Sequence, residues 1–203
     1  MGSCEDWWDE WKCPLACLGI VVGVVLFTVL LAAYGFVRHI DVRVEDASLT
    51  RFALATSPVT ALAYNLSLTL TIRNPNWAMS LKNTKPLVAA YKYDDQQFDR
   101  AQLADKGDKH RPGKTRVYHL AVGSNGSYVS LGNSGLVAFR KDNATGVFEV
   151  ELAVTGEVRY TARYTKCKIE ASCPMKLQLA PPGTAAVVFQ KVKCKLEKPE
   201  KNC

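Results

Sequence analysis

Residues 63–76 read AYNLSLTLTIRNPN. Tyr64, Leu66, Leu68, Leu70 and Ile72 alternate with Asn65, Ser67, Thr69, Thr71 and Arg73 until the chain meets Asn74-Pro75-Asn76. A period of two sends alternate side chains to opposite faces of an extended strand, so one face is buried and the other meets water. Proline has no amide hydrogen for a ladder and biases the residue before it away from the helical region, which ends the strand at Arg73 or Asn74. Asparagine on either side can bond nearby backbone and tolerates unusual dihedrals. Asn74, Pro75 and Asn76 therefore read as a structural turn with no catalytic or binding role.

The same alternation recurs downstream. Phe148, Val150, Leu152 and Val154 share one face of VFEVELAV, and Val158, Tyr160, Ala162 and Tyr164 share one face of EVRYTARY. Near the end, Val192, Cys194 and Leu196 lie opposite the basic stripe Lys191, Lys193 and Lys195. Shorter runs at 40–44, 87–93, 116–122, 134–139, 175–179 and 185–190 complete the set, and 99–106 (DRAQLADK) allows one short helix. Alternating runs separated by turn-rich stretches such as KGDKHRPGK, GSNGS and APPG argue an all-β, antiparallel β-sandwich. A unit of roughly 160 residues can bury a core without depending on disulfides.

Ahead of the strands stands a different signal. Leu15 to Val37 carries no charged residue over 23 positions. As a helix it would reach roughly 34 Å, enough to cross a hydrocarbon core of about 30 Å. A cleaved signal peptide would have a basic start and a shorter apolar run, whereas Glu5, Asp6, Asp9 and Glu10 precede this one; Ala33-Tyr34-Gly35 does resemble a cleavage site. The reading is a cytosolic segment at 1–14, a transmembrane helix at 15–37, a β-sandwich at 38–196 and a polar tail at 197–203.

Sidedness rests on observations that disagree. Lys12 precedes the span while Arg38, Arg43 and Arg51 follow it, which by the positive-inside tendency would leave the large domain in the cytosol. Three N-glycosylation acceptors, at Asn65, Asn125 and Asn143, argue for the exterior. So do Cys167, Cys173, Cys194 and Cys203, an even late set suited to disulfides, with unpaired thiols as the alternative. Cys4, Cys13 and Cys17 lie at the other end, where juxtamembrane thiols are palmitoylation candidates. The orientation adopted is N-terminus in the cytosol and domain outside.

Catalytic and metal signals are missing. His39, His110 and His119 stand at no useful spacing, the late cysteines are spaced C-x5-C-x20-C-x8-C unlike zinc knuckles, and there is no G-x-S-x-G or phosphate-binding loop. Asp94 and Asp95 are adjacent and read as turn residues. No enzyme, cofactor or metal is expected. After the span the chain has 25 Lys and Arg against 15 Asp and Glu, a net charge of +10 that attracts anions. The cations are scattered, which excludes nucleic acid and leaves anionic lipid or cell-wall polymer as a partner for the Lys191, Lys193 and Lys195 stripe. The plainer reading of that stripe is a solvated edge strand protected from aggregation.

This order of features resembles the plant NHL family, named for non-race-specific disease resistance and harpin-induced proteins. That family carries a late-embryogenesis-abundant group 2 domain behind an N-terminal anchor. The resemblance is carried by Arg73 to Asn76 closing an alternating strand, by Leu87 to Phe98 (LVAAYKYDDQQF) and by Gly156 to Tyr164 (GEVRYTARY). A Tyr-Tyr-Asp common in the family after its Asn-Pro-Asn is replaced here by Lys82-Asn83-Thr84. The resemblance implies a plasma-membrane protein of plant defence or stress response, a sandwich related to fibronectin type III, and no catalytic residues. Contacts with other membrane proteins, self-association included, or with the cell wall would be its mode of action. The alternatives are a lipid-binding or lipid-handling domain, marked by an apolar cavity between the sheets, and a structural protectant in dehydration.

Overall fold

A computed structural model describes residues 4–35, 37–55, 60–161, 165–180 and 188–197, with the side chains of 4–14 and 33 excepted. Helix α1 spans Cys4–Tyr34, so it begins within the segment read as preceding the span. Within it Leu15–Ala32 has a mean hydropathy of 2.9 and none of it is buried, so the helix is long and apolar enough to cross a membrane.

The strands follow as β1 (Asp41–Ala55), β2 (Ala61–Arg73), β3 (Leu81–Asn83), β4 (Leu87–Tyr93), β5 (Gln96–Ala104), β6 (Lys109–His110) and β7 (Thr115–Tyr128). After helix α2 (Gly132–Thr145) come β8 (Val147–Tyr160), β9 (Lys166–Gln178), β10 (Val192–Lys193) and β11 (Lys195–Leu196). A four-stranded sheet runs β10-β1-β2-β7, and a second runs β11-β9-β8-β3-β6 with β4 attached to β8 and β5 to β4. Among the described residues the pairings between these strands are antiparallel, and Leu49 makes an isolated parallel bridge with Leu179. The expected sandwich is what the chain forms.

Alternation selects the core. On β2, Leu62, Tyr64, Leu66, Leu68, Leu70 and Ile72 are buried while Asn65, Ser67 and Arg73 are exposed. Phe148, Val150, Leu152 and Val154 of β8 face them from the other sheet's core side. One end is filled by aromatics around Phe52, whose ring centroid lies 4.7 Å from Phe148, 5.3 Å from Tyr93 and 5.9 Å from Phe139.

Three expectations need correction. Residues 134–139 are helical, not a strand. Leu131, Gly135 and Phe139 are buried at intervals of four, the helical period, and Gly146 ends α2 in the left-handed region at φ 70°. Residues 99–104 are strand rather than the short helix, because β5 pairs with β4 through a turn in which Asp94 (φ 47°) and Asp95 (φ 61°) both adopt positive φ. Positive φ at both central positions matches the right-handed twist of a tight hairpin. Of 185–190, residues 188–190 form no strand and 185–187 lie outside the described residues, as do Ala162 and Tyr164.

The end of the chain stitches the sheets together. Lys193 pairs with Arg43 in one sheet and Lys195 pairs with Ser172 in the other. Between them Cys194 turns inward, gives its amide to Val42 (3.0 Å) and closes a disulfide with Cys173 on β9. The bond spans 21 residues, and removing such a crosslink costs about 3 kcal/mol by loop-closure entropy. Cys173→Ala/Cys194→Ala should therefore lower the urea midpoint, with a slope equal or steeper because the unfolded chain is no longer crosslinked there. An unchanged midpoint would show that this stitch does not hold the sheets.

Candidate functional site

The strand that opens the argument does not lose its register at the turn. Leu70 and Ile72 point inward, and two and four residues beyond Ile72 so do Asn74 and Asn76, which are 0% and 3% exposed. Two primary amides are thus carried into the core, where each donor and acceptor needs a partner. Asn74 Nδ2 donates to the carbonyls of Met79 (2.8 Å) and Arg111 (3.3 Å). Its Oδ1 accepts from the Asn76 amide (3.1 Å) and from Asn76 Nδ2 (2.9 Å). Its backbone amide donates to Lys114 (3.0 Å), and Gly113 donates to the Asn76 carbonyl (2.8 Å).

The remaining bonds reach back to the start of the domain. Arg38 N–H donates to Asn76 Oδ1 (2.8 Å), and Asn76 Nδ2 donates to the Arg38 carbonyl (2.7 Å). The side-chain amide acts as a peptide group paired with Arg38, four residues after the end of α1. Three separate stretches thereby meet at one point: the segment leaving α1, the 74–79 loop and the 110–114 turn. Gly113 sits at φ 65° after Pro112, the arrangement a type II turn demands.

His110 completes the junction. Its Nε2–H donates to the Lys114 carbonyl (2.9 Å), and the ring is buried. Burial pushes the imidazole below its ordinary value of 6.5; the bond to Lys114 opposes that, and nearby Arg116 adds to it. A second buried polar contact joins the sheets elsewhere, where Tyr64 donates to Asp99 Oδ2 (2.6 Å). Burial, aided by Asp99, pushes the Tyr64 phenol up to about 12 and raises that of Tyr91 as well. Neither is available as a base near neutral pH.

The other predicted residues are dispersed. Asn65 on β2, Asn125 on β7 and Asn143 on α2 are all exposed, with Asn125 accepting a bond from Arg51 (3.0 Å). Cys4, Cys13 and Cys17 lie on α1, and Cys17 is an exposed free thiol. Cys167 is disulfide-bonded, and Cys203 lies outside the described residues. The basic stripe is not one strand: Lys191 pairs with Glu45 (2.7 Å), Lys193 belongs to one sheet and Lys195 to the other. An open groove of about 670 Å³ lies between α2 and the β4-β8-β9 surface, and Lys92, Asp94, Asp142, Glu149 and Lys176 line it. Tyr93, Ala138, Val150, Pro174 and Met175 line it as well. Among the described residues no group of three His, Cys, Asp or Glu side chains could hold a metal ion.

An apolar helix joined to an antiparallel sandwich through buried asparagines defines a class of chain, and sequence comparison supplies its family. The chain is 29% identical over 161 residues to NDR1/HIN1-like protein 3 of Arabidopsis thaliana, covering 78% of this chain and 68% of that protein. It is 30% identical over 164 residues to NDR1/HIN1-like protein 10 of the same plant, covering 77% and 70%. With NDR1/HIN1-like protein 2 it shares 29% identity, over 62% of that protein's length. The chain belongs to the NDR1/HIN1-like family. No protein-family model matches it. A protein from Archaeoglobus fulgidus superposes over 68% of this chain with a TM-score of 0.32 and 9% identity, too loosely to add to the strand order above.

Two predictions follow from the asparagine junction. Asn76→Ala would leave the Arg38 amide and carbonyl without partners and take one of two donors from the Asn74 oxygen, a loss of about 2–4 kcal/mol in urea denaturation. Asn125→Ala, on the surface, should stay within about 0.5 kcal/mol of the parent; equal effects would contradict the assignment. The second prediction concerns pH. Folding holds His110 below its unfolded value, so the unfolded chain binds more protons in the interval between them. The stability is fully present above about pH 6.5 and declines as pH falls through the folded value. His110→Gln keeps a donor without the titration and should flatten that limb of a stability–pH curve; an unchanged slope would remove His110 from the junction's chemistry.

Proposed function

We propose that this chain is a single-span plasma-membrane protein that presents its sandwich outside the cell and acts in plant defence or stress response by binding rather than by chemistry. The observation that carries the reading is the join itself. The apolar stretch Leu15–Ala32 of α1 is unburied, the helix ends at Tyr34, and Val37 already packs against the sandwich core. Family membership supports the defence or stress assignment. On this reading the sandwich is a late-embryogenesis-abundant group 2 domain.

The outward orientation is supported by the exposure of Asn65, Asn125 and Asn143 and by the disulfide of Cys173 with Cys194, a bond favoured in oxidising compartments. Protein contacts, with other membrane proteins or with a second copy, are the mode of action we favour. β7 ends its sheet, and among the described residues its outer edge is unpaired over a strand of 14 residues. Such an edge is a template for strand addition.

Expressed in plant cells, the protein should lose mass on endoglycosidase treatment in steps removed by Asn65→Gln, Asn125→Gln and Asn143→Gln. It should also resist alkaline carbonate extraction. Constant mass with all three asparagines unmodified would overturn the exterior assignment, and release by carbonate would overturn the anchor.

A further inference from the structure

The asparagine junction fixes which end of the sandwich faces the bilayer. Two residues separate the end of α1 at Tyr34 from Val37, which packs on the core, and Arg38 is held through both its backbone groups by Asn76. Four residues reach at most about 14 Å even when fully extended. The headgroup region on each side of the hydrocarbon is roughly 5–8 Å thick. Whatever surrounds Asn76 therefore lies at or just above the headgroups of the membrane that α1 crosses.

The surface there has the chemistry of an interface. Trp77, next to Asn76, is 60% exposed, among the most exposed large apolar side chains outside α1. The three stretches that meet at the junction, 37–39, 73–80 and 110–115, contain Arg38, Arg73, Arg111 and Lys114 and no Asp or Glu. All four cations are exposed. Asp41 lies opposite Arg73 with its Oδ2 taken by Arg43 (3.0 Å), and Glu170 and Glu197 stand beside His39 at the edge of the rim. Tryptophan settles at the headgroup level of a bilayer, and arginine and lysine nearby bind phosphate.

We propose that this rim docks on the phospholipid headgroup layer, with Trp77 inserted at the interface and Arg38, Arg73, Arg111 and Lys114 over the phosphates. The proposal rests on the membrane-anchor reading above. Its surface is distinct from the Lys191, Lys193 and Lys195 stripe. The domain then stands on the membrane in one orientation instead of swinging on a tether. The opposite end of the sandwich, around Asp94 and the Phe52 cluster, points away from the bilayer.

The test uses the full chain with Trp7→Phe, Trp8→Phe and Trp11→Phe, which leaves Trp77 as its one tryptophan. It is reconstituted into phosphatidylcholine vesicles with and without phosphatidylglycerol, and into the same lipids brominated near the headgroup end of the acyl chain. Trp77 emission should be blue-shifted, shielded from iodide, and reduced roughly twofold by the brominated lipid, as for an interfacial indole. Arg111→Glu/Lys114→Glu, both at exposed positions, should weaken that quenching, most of all in the anionic vesicles. Water-like emission that iodide quenches, from chain that survives carbonate extraction, would overturn the docking while leaving the anchor intact. Quenching untouched by the double reversal would remove the cations from the contact. Release of the chain by carbonate would overturn the anchor and the docking together.

Discussion

Asn76 and the backbone of Arg38 form a two-bond pairing that decides how the first residues of the sandwich are placed. Without it, β1 would begin from a chain end free to fray at the edge of the core. With it, Asp41 enters the ladder opposite Arg73 in the register that carries Val42, Val44 and Leu49 inward. Asn74 does the same for the other two loops, holding Met79 with one hydrogen and Arg111 with another. Proline between the two asparagines supplies the bend and removes an amide that would otherwise need a partner in the core.

Closure at the chain's far end follows a different physics. The last strands are two residues each, too short to hold by ladder bonds, and the segment crosses from one sheet edge to the other. A covalent bond from Cys194 to β9 holds what hydrogen bonding cannot. The sandwich is thus fastened covalently on the side where β1 meets β9, while Tyr64 with Asp99 and Arg116 with the Lys109 carbonyl make polar contacts between the sheets elsewhere. Among the described residues β7 is the long unpaired edge of its sheet.

Much of this was legible from residue order. The strict alternation of β2 and β8 marked buried faces correctly, because a period of two needs no tertiary knowledge. Helix α2 was missed because Leu136, Val137, Ala138 and Phe139 form a short unbroken apolar run, which periodicity alone cannot assign to strand or helix. The wider spacing of Leu131, Gly135 and Phe139 carried the helical signal. Asn74 and Asn76 were read as turn residues satisfied locally, and the bond from the Asn76 amide to Asn74 is of that kind. Their burial was nevertheless written in their parity, since both continue the even-numbered face of Leu70 and Ile72. Their partners at Arg38 and Arg111 were not legible, because nothing local connects segments 38 residues apart. The basic stripe failed for a related reason: alternation describes one strand and cannot show that a disulfide divides it between two sheets.

On the proposed function, the domain has to hold a recognition surface at a defined place, and the asparagine junction ties the segment leaving α1 to the sandwich. Amide hydrogen exchange of the full-length protein, read residue by residue, tests this most directly. The Arg38, Asn74 and Gly113 amides should exchange as slowly as that of Leu70 in the centre of β2, opening only when the whole domain unfolds. Exchange of the Arg38 amide at the rate of an unstructured peptide, with Leu70 still protected, would contradict the account.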